Sequence, residues 1–148
     1  MGKRGEGWVL LQLVLFVIIF LAPDIGFPAP DWLRYLGLVI LGIGAILGTG
    51  GVLALGKNLT AFPKPIENGV LVTAGVYGIV RHPIYAGLIF GTLGWSLYRS
   101  NLLGIGLSLL LFLFFDMKSR REERWLVEAY PNYPDYQRRV KKLIPAIY

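Results

Sequence analysis

The chain contains no cysteine and only one histidine, His82. Disulfides, thiolate metal sites and cysteine nucleophiles are therefore excluded, and one imidazole cannot assemble a multi-histidine centre, so no metal is expected. Charge is scarce as well. Asp, Glu, Lys and Arg make up 16% of the 148 residues, against about 25% in an ordinary soluble domain. Apolar residues fill the space, reaching 55%. A soluble single domain of this length could not bury so much apolar surface, so lipid must cover the remainder.

Uncharged apolar runs cover Trp8 to Ala22, Tyr35 to Gly56, Pro83 to Tyr98 and Ser100 to Phe115. A helix rises about 1.5 Å per residue and the hydrocarbon core is about 30 Å thick, which asks for about 20 residues. Only the second run reaches that length; the others need their flanks or a locally thinned bilayer. Lys3 and Arg4 ahead of the first run also fit a secretory signal, but Pro23 to Pro28 offers no small-x-small cleavage site, and a retained helix is expected. With the N-terminus inside, the cytosolic side receives Lys3, Arg4, Lys57, Lys64, Arg81, Lys118, Arg120, Arg121, Arg124, Arg138, Arg139, Lys141 and Lys142. The opposite side receives Arg34 and Arg99. That asymmetry places both termini in the cytosol. It accounts for the net charge of +6 without nucleic acid, for which no binding motif is present. The expectation is an all-α, polytopic membrane protein: about four transmembrane helices plus interfacial helices on the cytosolic side at the C-terminus. It forms one domain, residues 1–148, with two N-terminal transmembrane helices in residues 1–58.

Gly44 and Gly48 stand in GxxxG spacing within a glycine-rich second helix, a pattern that serves close packing inside one chain or between two. Oligomeric state stays open. Arg99-Ser100-Asn101 is too short for anything but a tight turn, so the last two runs form an antiparallel hairpin. The start of the third helix and the end of the fourth then emerge on one face. There the polar chemistry collects. Pro83 suits a first helical turn, and the donors just after it, with Arg81 and His82 beside them, suit either an anion site or a capped interfacial helix. Asp116 to Glu128 lacks Gly and Pro, so the fourth helix continues beyond the bilayer. Lys118, Glu122 and Trp125 share one face of that continuation. Glu122 beside an anion site makes a place for a zwitterion; a solvated charge run reads equally from the spacing. Tyr130, Tyr133 and Tyr136 fit an interfacial belt or a pocket wall.

In these same segments the chain resembles the isoprenylcysteine carboxyl methyltransferase family and its prokaryotic and phospholipid-methylating relatives. The residues that carry the resemblance are GVLVTAGVYGIVRHPIYAG from Gly69 to Gly87, then Glu122-Glu123, then YPNYPDYQRRVKKLIP. They occur in the family's order and cover Leu59 to Pro145. The resemblance implies methyl transfer from S-adenosylmethionine, with residues 59–148 as the cofactor-binding core. Carried over by position, Gly69, Val70, Leu71, Val72, Tyr77, Arg81, His82, Pro83, Ile84 and Tyr85 would line the cofactor, and Glu122 would take its ammonium. Lys118 falls where the eukaryotic enzymes carry an arginine associated with the acceptor. A lysine is a point charge, not a planar fork, so the acceptor stays open among lipophilic carboxylates, lipid amines and lipidated proteins. His82 and Glu123 are the candidates for a general base. Two other readings stand beside this one. Membrane sterol reductases resemble the family's C-terminal architecture and would use NADPH instead. A small non-enzymatic four-helix membrane protein would need polar residues along a pore, and the four runs contain no Asp, Glu, Lys or Arg.

Overall fold

The computed structural model describes residues 4–66 and 68–148. Lys3, counted above toward the cytosolic side, lies outside them. The described residues are all helical apart from loops and two isolated backbone bridges. Helix α1 spans Glu6–Leu21, α2 Asp31–Leu55, α3 Pro83–Tyr98, α4 Leu102–Ala129 and α5 Tyr133–Arg139, with short 3₁₀ turns at Gly56–Asn58 and Gly75–Gly78. Only α2 and α4 have both the length and the apolar character to cross a bilayer unaided. Helices α1 and α3 have 16 residues each, about 24 Å of rise.

Helix α2 wears two faces seven residues apart in register. Trp32, Val39, Ile46 and Leu53 form an exposed apolar stripe. Gly37, Gly44 and Gly51 form the opposite stripe, and it is buried. A β-carbon on Gly44 would lie 2.7 Å from the Gly91 nitrogen, and one on Gly87 would lie 2.5 Å from the Gly48 α-carbon. Gly51 is packed the same way under Pro83 and Ile84. The small-residue spacing thus serves packing inside the chain, drawing α2 and α3 together along an antiparallel seam. The exposed stripe, with Leu10, Leu13, Val17 and Phe20 of α1, is a larger unbroken apolar surface than water tolerates, and lipid is its natural solvent.

Helix α4 packs on α3 and on α1. Leu15, Ile89, Leu111, Phe114 and Phe115 form the core there, and the Trp8 ring meets Phe114 at 5.8 Å. The apolar part of α4 ends at Phe115; from Asp116 the same helix runs on as a polar rod, as its freedom from Gly and Pro anticipates. The Arg99–Asn101 turn is tight, as its length demands, with Ser100 in the left-handed region at φ 52°. Asn101 caps α4 by accepting from the Gly104 N–H at 3.1 Å and donates to Asp24 at 2.6 Å, tying the α1–α2 loop to that end of the bundle. At the other end the tail turns back: the Arg81 and His82 N–H groups donate to the Lys141 and Lys142 carbonyls at 2.8 and 3.1 Å. The start of α3 and the extension of α4 therefore share one face, now with the tail laid across it.

Candidate functional site

At that face the ends of the four long helices enclose a cavity of about 510 Å³, a size ordinary for small-molecule sites. Leu55, Ile84 and Leu88 supply apolar wall, and the loop after Asn58 covers it with Leu59 to Pro63. A reciprocal clasp closes that loop at its base: Asn58 donates to the Val70 carbonyl at 3.2 Å and accepts from the Val70 N–H at 3.3 Å. The clasp presents Gly69, Val70, Leu71 and Val72 to the cavity. Gly69 packs closely under Tyr130 and Ile66: a β-carbon there would lie 2.9 Å from the Tyr130 hydroxyl and 3.2 Å from the Ile66 carbonyl oxygen. Tyr77, Arg81, His82, Ile84, Tyr85, Lys118 and Glu122 line the space as well, and Tyr130, Tyr133 and Tyr136 stand in its wall. Pro83 and Glu123 do not; Pro83 packs toward Gly51 and Glu123 faces the tail.

Two adjacent carboxylates have opposite surroundings. Glu122 is on the wall, accepting from the Tyr85 hydroxyl at 2.7 Å, with His82 Nδ1 at 3.9 Å. Glu123 is buried and receives Arg81 Nε at 2.8 Å, His82 Nε2 at 3.1 Å and Gln137 Nε2 at 2.9 Å. Burial works against the Glu123 charge, but His82 and then Arg81 outweigh it and hold its pKa down at about 2. A carboxylate so acidic accepts protons poorly at neutral pH. It serves as an anchor, and general-base duty does not suit it. Arg81 is equally committed, since its guanidinium also donates to the Gln137 carbonyl at 3.1 Å and to that of Val140. The Ala86 N–H is likewise taken, by the His82 carbonyl at 3.0 Å. Arg81 and the Ala86 N–H, two of the donors read as an anion site, are thus taken by the protein's own carbonyls and Glu123. An ionised Glu123 can only accept, so Nε2 of His82 carries a proton and Nδ1 is the nitrogen turned toward Glu122.

Lys118 is 1% exposed. Its ammonium donates to Gln12 Oε1 at 2.5 Å and to the Ala61 carbonyl at 3.3 Å, and sits 5.2 Å from the centre of the Tyr85 ring. Among the described residues no carboxylate lies within ion-pairing distance of it. Burial pushes its pKa down, and the Glu122 charge pulls part of the way back. The ring of Tyr85 is itself stacked between His82, at 5.4 Å, and Phe115, at 4.5 Å. Sequence reasoning passed over Gln12, although a lone amide in the run from Trp8 to Ala22 was a visible signal for a polar contact across helices. Because Gln12→Leu removes an acceptor from a buried ammonium, it should lower the unfolding midpoint in detergent by several degrees, on the order of 1–3 kcal/mol. The double change with Lys118→Met should recover much of that loss, a non-additivity that a double-mutant cycle reads directly.

A helical membrane protein with a largely apolar, tyrosine-walled cavity at one end of its bundle is the class that fold and site define. The phospholipid methyltransferase family matches residues 32–133, which run from the start of α2 to the start of α5 and hold nearly all of the cavity wall. The chain belongs to that family. It is 28% identical over 144 residues to protein-S-isoprenylcysteine O-methyltransferase B of Arabidopsis thaliana, covering 93% of this chain and 73% of that one. With protein-S-isoprenylcysteine O-methyltransferase of Tribolium castaneum it is 32% identical over 120 residues, 78% of this chain and 43% of the relative. A solved structure of a eukaryotic intramembrane Ras methyltransferase, isoprenylcysteine carboxyl methyltransferase, superposes with a TM-score of 0.69 at 26% identity, covering 99% of this chain and 55% of that one. The chain thus spans less than half of the insect relative and little more than half of the solved one. Helix α2 lies outside Leu59 to Pro145, where the resemblance was read in the sequence, but inside the matched span, so the family signal reaches further than that reading.

Proposed function

We propose that this chain is an integral membrane methyltransferase that binds S-adenosylmethionine at the cytosolic face and methylates a lipophilic acceptor. Four helices crossing the bilayer, both termini cytosolic, would set the cavity at the membrane boundary, in line with the basic residues at that end. The observation that carries the reading is one cavity wall combining the Glu122 carboxylate with apolar side chains from α2 and α3. The donor set suits the cofactor. Glu122 offers an anion to an ammonium, the tyrosines offer flat faces and hydroxyls, and the Tyr133 hydroxyl is buried with no partner in the protein. When bound, S-adenosylmethionine supplies a methyl group on a sulfonium, ready for in-line displacement.

The residues of the chain would do the rest by position. Glu122, oriented by the Tyr85 hydroxyl, holds the amino-acid end. The clasped segment Gly69 to Val72 supplies backbone against the nucleoside. Lys118, with no carboxylate of its own, is placed to draw the polar head of an acceptor to the apolar wall; carboxylate, phosphate and lipid amine acceptors differ in how they use it. Alignment of two bound reactants alone lowers barriers by several kcal/mol, so a carboxylate acceptor needs no base. An amine acceptor must lose a proton, and His82 Nδ1 is the nitrogen placed nearest for it.

The test is thermal unfolding of the detergent-purified chain with S-adenosylmethionine, S-adenosylhomocysteine or NADPH. A ligand at 100 times its dissociation constant adds about 2.7 kcal/mol, several degrees for a chain of this size. Both sulfur ligands should stabilise, NADPH should not, and Glu122→Gln should weaken the sulfur ligands roughly 10- to 100-fold, as loss of a charged hydrogen bond does. Stabilisation by NADPH alone would make the chain a reductase. No shift with any ligand would remove the enzymatic reading.

A further inference from the structure

Three tyrosine hydroxyls of this fold are tied to acceptors in the protein. Tyr136 donates to the Tyr77 carbonyl at 2.6 Å, Tyr85 to Glu122 at 2.7 Å and Tyr148 to Asp116 at 2.7 Å. Tyr133 does not. Its side chain lines the cavity, it is 1% exposed, and its hydroxyl has no hydrogen-bond partner. The only other such group among the described residues, Ser100 Oγ, lies at the opposite end of the bundle. A phenylalanine would keep the edge-to-face contact of ring 133 with Tyr136, at 5.7 Å, and remove the unmet hydroxyl. A buried polar group left unpaired is a net cost to the ligand-free protein. Such a cost is accounted for when a ligand completes the bond.

The surroundings say which part of a ligand. Burial first, and then the Glu123 charge, push the Tyr133 hydroxyl above the usual phenol range, so it stays protonated and acts as a donor. Glu122, Glu123 and Arg81 are the charged groups that act on it, and of the two carboxylates only Glu122 lines the cavity. An α-amino acid carries its ammonium and carboxylate on one carbon. Tyr133 lines the same cavity as Glu122, so its hydroxyl is a donor available to that carboxylate.

We propose that Tyr133 is a ligand-binding residue of the cavity, its hydroxyl donating to the carboxylate at the amino-acid end of S-adenosylmethionine. The proposal rests on the reading of the cavity as the S-adenosylmethionine site. Its test is calorimetric binding and thermal unfolding of the full chain in detergent, wild type against Tyr133→Phe, with S-adenosylmethionine and with its decarboxylated analogue. The analogue keeps the ammonium for Glu122 and lacks only the carboxylate. Tyr133→Phe should leave the ligand-free unfolding midpoint unchanged or raise it, weaken S-adenosylmethionine about tenfold, and leave the analogue's affinity as in wild type. Tyr136→Phe, which breaks a made bond, should instead lower the ligand-free midpoint. Unchanged affinity for S-adenosylmethionine in Tyr133→Phe would overturn the proposal, as would a lowered ligand-free midpoint, which would mark the hydroxyl as structural. Equal weakening of both ligands would move the contact to the nucleoside and overturn the assignment to the carboxylate. Failure of wild type to bind S-adenosylmethionine at all would strike the cofactor reading first, and this one with it.

Discussion

Gly44→Val and Gly87→Val are each expected to leave almost no folded, monodisperse protein on size exclusion in detergent. The reason is backbone against backbone. A side chain at 44 would run into the Gly91 nitrogen at 2.7 Å and the Gly87 carbonyl oxygen at 2.9 Å; one at 87 would run into the Gly48 nitrogen at 2.6 Å. Flexible neighbours can yield to an added methyl at about 1–3 kcal/mol, but two main chains cannot yield without the helices parting. A total stability of about 5–15 kcal/mol leaves little room for that. Gly42→Ala supplies the control. The same helix has nothing within 4 Å of that position, so alanine should be neutral or gain up to about 1 kcal/mol in unfolding midpoint. The seam also sets the cavity, since α2 and the turn after it deliver Leu55 and Asn58 to its wall and α3 delivers Ile84, Tyr85 and Leu88. Whatever folded fraction of Gly44→Val survives should therefore bind S-adenosylhomocysteine weakly.

Why such a seam was half legible in the sequence is a matter of period. Gly37, Gly44 and Gly51 recur every seven residues opposite Trp32, Val39, Ile46 and Leu53, so a packed face and a lipid face can both be read from spacing alone. The partner cannot. Close approach needs small residues on α3 as well, and Gly87, Gly91 and Gly94 lie beyond a long loop, so only the fold reveals that they meet α2. The hairpin and the polar continuation of α4 were legible because a three-residue turn and a stretch without Gly or Pro permit little else. The spacing left Glu122 open between a cavity wall and a solvated charge run, and only the resemblance pointed to the wall, where the fold puts it. The different role of its neighbour was not legible. Which of Glu122 and Glu123 is free and which is bound depends on where the tail folds, and residues 137–142 reach the start of α3 through backbone bonds that leave no mark on side-chain pattern. Gln12 was the opposite case, a plain polar signal in an otherwise apolar run.

The tail's fold underlies the second large effect. Glu123→Ala should lower stability by roughly 3–5 kcal/mol, because it leaves the Arg81 guanidinium buried without its carboxylate. Arg81→Met should cost as much from the other side, and the pair Arg81→Met with Glu123→Leu should recover a good part of either loss, since a buried pair replaced whole is often close to neutral. Acid gives the same network a second readout. The Glu123 pKa is held at about 2 in the folded chain, against an ordinary 4.5. A group with a depressed folded pKa contributes its stability above the unfolded value and loses it as pH falls toward the folded one. The contribution of Glu123, on the order of 3 kcal/mol, should therefore be present at neutral pH and disappear between about pH 4.5 and pH 2. Asp116, paired with Lys142 at 2.9 Å, also titrates low and adds a loss of the same sign, so the comparison needed is wild type against Glu123→Gln over that range. The variant should start less stable and fall less steeply; parallel curves would mean that the Glu123 pKa is the same in the folded and unfolded chain. The same comparison separates the two carboxylates. Glu123 variants should lose ligand binding in step with unfolding, whereas Glu122→Gln should lose it with the fold intact.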